Sequence, residues 1–78
     1  MSVTIFTTKT CPGCHNIKKY LSYKGLKFNE IDVEEKPDAR QRIINLTGFM
    51  QVPVVQIIKD GKVNFVLGNN LRELSEAL

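Results

Sequence analysis

The sequence predicts an α/β domain of seven elements in the order β-α-β-α-β-β-α, a four-stranded mixed sheet flanked by three helices. Three stretches carry that expectation. "VTIFTT", at residues 3–8, is β-branched and aromatic, with Val3 and Ile5 alternating against Thr4, which reads as a strand. Directly after it, Cys14, Ile17 and Leu21 recur at helical spacing. Near the other end, "VPVVQIIKDGKVNFVL" is two apolar runs joined by Asp-Gly, the pattern of a hairpin.

Each element then has its own reason. In the first helix Tyr20 widens the stripe of Cys14, Ile17 and Leu21, with lysines on the opposite side. Gly25 follows Lys24 and suits the left-handed residue that ends many helices, with Leu26 packing back against the last turn. "LKFNEIDV" is the second strand, and the slip in its apolar phase between Phe28 and Ile31 predicts a bulge or a late start. Pro37 fits the first turn of a second helix because the amide hydrogen it lacks has no partner there. That helix runs through "DARQRIINLT" with Ala39, Ile43 and Leu46 inward, and Gly48 stops it. "VPVVQII" is near-continuously apolar, as a strand covered on both faces must be. Its antiparallel partner is "VNFVL". Asn70 with Glu73 three residues on forms a capping-box pattern, opening a last helix with Leu71, Leu74 and Leu78 as its stripe. The first strand–helix–strand unit is expected to be parallel with a right-handed crossover, leaving helices on both faces of the sheet.

Seventy-eight residues make one domain, 1–78, with a modest core. The two cysteines, Cys11 and Cys14, are poor candidates for a structural staple. Bridging them closes a four-residue loop, worth about 2 kcal/mol in the chain-entropy model. A secreted scaffold spreads several bridges along the chain, so this close pair points to reactivity. "MSVTIFTTKT" has no basic start, long apolar run or small-residue cleavage site, and no stretch approaches a membrane span, which leads us to expect a soluble cytoplasmic protein. A net charge of +3 gives no case for nucleic acid. Its distribution is uneven: residues 1–29 hold five lysines and no acid, whereas "EIDVEEKPD" holds five of the eight carboxylates. A positive segment around a cysteine favours its thiolate and draws anionic partners.

"KTCPGCHNIKK" suits two chemistries. Cys11, Cys14 and His15 spell the c-type haem attachment motif, with Met50 as a candidate distal ligand. The strand-rich pattern and the absence of a leader oppose that reading, since small c-type cytochromes are largely helical. Zinc is one ligand short: two thiolates and one imidazole leave a closed site incomplete. Thiol–disulfide exchange needs a reachable thiolate near neutral pH. Cys11 lies where strand gives way to helix, at the positive end of the helix dipole, with Lys9 nearby. Such surroundings lower a cysteine pKa from about 8.5 to between roughly 3.5 and 7.5. Cys14, one turn on, is placed to close the bridge and to resolve a mixed disulfide. Pro12 stiffens the turn, and Gly13 permits close approach by a partner.

"CPGC" after a first strand, Val52-Pro53 before the third and a Gly-containing turn before the last helix together resemble the glutaredoxins of the thioredoxin superfamily. The resemblance runs over essentially the whole chain and implies a thioredoxin-like (glutaredoxin) fold. It implies a cis Pro53 facing the cysteines, with the backbone of Val52 pairing a substrate peptide as an added strand. It also implies that the segment from Gly68 through Asn69 and Asn70 holds a glutathione carboxylate, although the family usually has two glycines and two aspartates there. The family's lysine commonly lies three residues before the first cysteine, whereas Lys9 lies two before, and Gly13 stands where tyrosine is usual. "GFMQVP", with Gln51, looks more like the glutaredoxin-like redoxins that reduce ribonucleotide reductase and draw on thioredoxin reductase, but their tryptophan motif is missing.

The sequence therefore leads us to expect a small thiol–disulfide oxidoreductase, with Cys11 as nucleophile and Cys14 as resolving thiol. Lys9, Pro12, Gln51, Val52, Pro53, Gly68, Asn69 and Asn70 would line its substrate or glutathione groove. We expect no metal and no bound cofactor, with glutathione as reductant or substrate. Its partners would be disulfide-containing proteins and glutathione or thioredoxin reductase, with neither nucleic acid nor membrane, and the chain would act as a monomer. The competing classes are a haem electron carrier and an interaction module whose cysteines are incidental.

Overall fold

A computed structural model describes residues 1–78 and contains the seven elements in the expected order. They are β1 (Ser2–Thr7), α1 (Pro12–Tyr23), β2 (Asn29–Asp32), α2 (Pro37–Thr47), β3 (Val54–Lys59), β4 (Lys62–Leu67) and α3 (Leu71–Ala77). The sheet order is β2-β1-β3-β4, with β1 parallel to β2 and antiparallel to β3, and β3 antiparallel to β4. No helix is long and apolar enough to cross a membrane.

The period-two alternation of the central strands divides the core into two layers. Val3 and Ile5 of β1, with Val55 and Ile57 of β3, face a cluster that includes Cys14, Ile17 and Leu21 of α1 and Leu74 of α3. Phe6 and Val54 point to the other face, where Ile43 of α2 and Val33 cover them. This is why β3 reads as a continuous apolar run: each of its faces is roofed by a helix.

Helix ends follow the local chemistry. Gly25 takes a φ of +70°, the Leu26 amide donates to the Leu21 carbonyl, and the Gly25 amide donates to Ser22. That pair of bonds closes the last carbonyls of α1 in a Schellman arrangement, and Leu26 packs on the larger cluster. At the hairpin, Asp60 and Gly61 both adopt left-handed φ values, 52° and 77°, the two-residue turn that matches strand twist.

The late start foreseen for β2 is what the structure has: the strand begins at Asn29 and spans four residues, so "LKF" precedes it. Two expectations need correction. Leu46 is 47% exposed. The inward row of α2 advances by four, through Ala39 and Ile43 to the half-buried Thr47, whose hydroxyl lies 2.9 Å from the Ile43 carbonyl. Leu46 falls one step round the helix from that row. Leu71 is 39% exposed at the start of α3, where Leu74, Ala77 and Leu78 do the packing.

Candidate active site

α1 opens at Cys11, which is its N-cap and has extended backbone, with Pro12 in the first turn. The first helical amides have no intrahelical acceptor, and the Cys14 amide accordingly donates to Cys11 Sγ across 3.1 Å. The two cysteines form a disulfide, with Cα atoms 5.3 Å apart. Their environments differ. Cys11 is half-exposed, whereas Cys14 is 1% exposed within the larger cluster. Cys14 Sγ lies 4.0 Å from the Phe6 carbonyl, an acceptor for its thiol hydrogen once the bridge is open.

Around the cysteines the structure gathers most of the residues expected there. The Val52–Pro53 bond is cis, and Pro53 is buried. Gly13 is the point of closest approach: a Cβ built on it would lie 3.3 Å from Pro53 Cδ and 3.3 Å from Asn69 Cβ. Three segments distant in sequence therefore meet at a position that has no side chain. The Gly68 amide donates to the Pro53 carbonyl across 2.9 Å, tying the turn before α3 to the proline loop. Val52 is half-buried and packs against both clusters, with Gln51 half-buried beside it. Phe49, two residues before Gln51, is 61% exposed.

Lys9 is placed differently from expectation. Its ammonium pairs with Glu35 at 3.3 Å and makes no hydrogen bond to the sulfur. Lys18 pairs with Glu30 at 3.0 Å, and the same carboxylate oxygen accepts from the buried Thr7 hydroxyl at 3.1 Å. The basic first segment and the acidic one after it thus pair across the β1–β2 side of the molecule. Exposed pairs of this kind are worth about 0–1 kcal/mol. What remains at the Cys11 sulfur is the amide of Cys14 and the dipole of α1.

Part of the turn after Gly68 is also bonded from within. The Asn70 amide donates to the Gly68 carbonyl, and Asn70 Oδ1 accepts from the Glu73 amide at 3.0 Å. Asn70 Nδ2 in turn donates to the Glu73 carboxylate at 3.1 Å. This differs from a full capping box, in which the glutamate reaches back to the backbone amide. The sequence pattern located the cap and its glutamate but not the atom that the carboxylate meets, the Asn70 side-chain amide. It also missed the contact between Gly13 and Asn69, for which a short sequence offers no signal.

Fold and site together define a thioredoxin-like domain carrying a redox-active cysteine pair at the start of its first helix. Comparison with known proteins narrows this. The glutaredoxin family model matches residues 3–63, and the chain belongs to the glutaredoxin family of thiol–disulfide oxidoreductases. It is 38% identical over 56 residues to glutaredoxin 3 of Escherichia coli strain K12, covering 72% of this chain and 68% of that protein. To the glutaredoxin-like protein NrdH of Lactococcus lactis strain MG1363 it is 36% identical over 53 residues, covering 68% of this chain and 72% of that one. The solved structure of the glutaredoxin-like NrdH-redoxin of Escherichia coli, described as having a thioredoxin-like activity profile, superposes with a TM-score of 0.80 at 29% identity, covering 100% of this chain and 96% of that one.

Proposed function

We propose that this protein reduces protein disulfides and glutathione mixed disulfides by dithiol exchange at Cys11 and Cys14. The Cys11 thiolate attacks one sulfur of the substrate disulfide and the other sulfur leaves as a thiolate, which takes up a proton. Cys14, giving up its proton, then attacks Cys11 Sγ, and the second substrate thiol is released. Two electrons pass to the substrate, and the protein is left with the Cys11–Cys14 bridge. The asymmetry of the two sulfurs supports this order: Cys11 is reachable and receives the Cys14 amide, whereas Cys14 is buried behind it. Pro12, Gln51, Val52 and Pro53, with Gly68, Asn69 and Asn70, form the groove that holds the substrate, and the Val52 backbone offers it strand-like pairing. Lys9 contributes charge at the margin of the groove. The protein works in the cytoplasm, because a dithiol reductant needs a compartment that resupplies electrons, and the exchange steps call on one chain's two thiols and on no bound cofactor.

A second reading concerns those electrons, and the Asn70–Glu73 pairing favours it. Glutathione would bring a carboxylate to the turn after Gly68, where the Gly68, Asn70 and Glu73 amides are already bonded and the Glu73 carboxylate is present. Thioredoxin reductase, a protein donor, needs no such subsite. The chain then acts as a redoxin that can feed ribonucleotide reductase. Measuring NADPH consumption with a small disulfide decides between the two feeds, glutathione with its reductase or thioredoxin reductase, with Cys11→Ser as the control. Turnover with either feed supports dithiol exchange, and the feed that works identifies the donor. Silence with both rejects the reading and revives the haem and interaction-module alternatives.

A further inference from the structure

α1 and α3 share one face of the sheet, and the seam between them is open. One hollow of 370 Å³ is lined by Asn16, Lys19, Tyr20, Tyr23 and Leu71. A second, of 330 Å³, shares Tyr20 and continues to Lys24, Leu26 and Leu78. The floor is apolar and poorly covered: Tyr23 is 84% exposed and Leu71 39%. Lys19 and Lys24 are the only charged side chains lining the two hollows, and Lys24 is drawn over the Tyr20 ring at 5.8 Å. The acids of α3 turn away, since Glu73 and Glu76 line the opposite flank of that helix beside β4. The upper end of the seam adjoins the reactive site, because Leu71 follows Asn70 and Asn16 lies one turn past the Gly13–Asn69 contact.

We propose that this seam docks an acidic segment of the protein substrate, next to the cysteine that Cys11 attacks, through apolar anchors on Tyr20, Tyr23 and Leu71 and carboxylates on Lys19 and Lys24. Charge complementarity selects the occupant: an apolar trough whose two charged side chains are both lysines suits a segment that mixes apolar and acidic residues. Spacing narrows it further. Lys19 lies eight residues along from Cys11, about 12 Å of helix, which an extended peptide spans in about four residues. The inference rests on the dithiol-exchange reading for the meaning of the docking, but not for its detection.

The test uses the reduced full chain and a peptide carrying serine in place of its cysteine, with apolar residues and with glutamates about four and six positions away. A matched peptide carries glutamine for glutamate. Amide chemical shifts are followed during titration, and KM is measured with the corresponding disulfide-linked peptides. The expected result is shifts at Lys19, Tyr23 and Leu71, binding about tenfold weaker for the glutamine peptide, and a similar loss for the acidic peptide in Lys19→Glu/Lys24→Glu. That variant should keep its turnover of bis(2-hydroxyethyl) disulfide, which is small and uncharged. Equal binding of the two peptides, or shifts confined to other surfaces, overturns the proposal. So does sedimentation showing a dimer that Tyr23→Ser dissociates, because a second copy would then own the seam. Loss of bis(2-hydroxyethyl) disulfide turnover in the unmodified protein would instead reject dithiol exchange, and the peptide titration would still decide the docking.

Discussion

Cys11 and Cys14 are three residues apart, yet one faces solvent and the other the core, and their roles separate by mutation. Cys11→Ser should abolish disulfide reduction in every assay. Cys14→Ser should block release from protein substrates and leave a mixed disulfide on Cys11, detectable by intact-protein mass, while attack on glutathione mixed disulfides persists. Equal loss in both variants would contradict the assignment. The second expectation concerns ionisation. With the Cys14 amide on its sulfur and α1 behind it, Cys11 in the reduced protein should titrate below the ordinary thiol value of about 8.5, followed by thiolate absorbance. An unshifted titration would mean that neither the amide nor the dipole acts on the sulfur. Much at this scale was legible in sequence, because strand, Cys, Pro and helix stripe are neighbours in the chain. The engagement of Lys9 by Glu35 was not: proximity to a cysteine in sequence left open which way a long, exposed side chain turns.

At the scale of elements, local signals did well wherever the chemistry is local. The Asp60-Gly61 turn, the Gly25 stop and the Asn70 cap each depend on a few consecutive residues, and each stands where the sequence put it. Stripe assignments failed at helix margins. Leu46 and Leu71 fall three residues from a buried position, a spacing that fits an apolar stripe, but a short helix buries one row, and the row is chosen by what it lands on. The cap of α3 supplies a test of its own. Asn70→Ala removes the acceptor of the Glu73 amide and should lower stability by about 1 kcal/mol in urea unfolding. It also frees the Glu73 carboxylate from its amide partner, so any activity fed by glutathione should not rise. A rise would mean that glutathione uses the turn and that the asparagine had been obstructing it.

Across the whole molecule, the sheet assigns the helices to two separate layers. The cysteine helix belongs to the larger one, with Ile17 at 0% exposure in its centre. Ile17→Ala should cost about 2–5 kcal/mol, measured by denaturant unfolding, and should loosen the site with the fold because Cys14 shares that cluster. Contacts between segments far apart in the chain, above all the meeting of Gly13, Pro53 and Asn69, were beyond residue patterns, since they depend on how the start of α1 and two loops converge at one end of the sheet. The other layer has a different consequence. α2 is fixed by a single fully buried side chain, Ile43, over a cluster of four residues that includes no cysteine. It can detach as an independent foldon while β1, β3, α1 and the bridge stay assembled. Native-state hydrogen exchange should find α2 amides opening at a lower free energy than those of α1, so that redox capacity outlasts the first loss of structure.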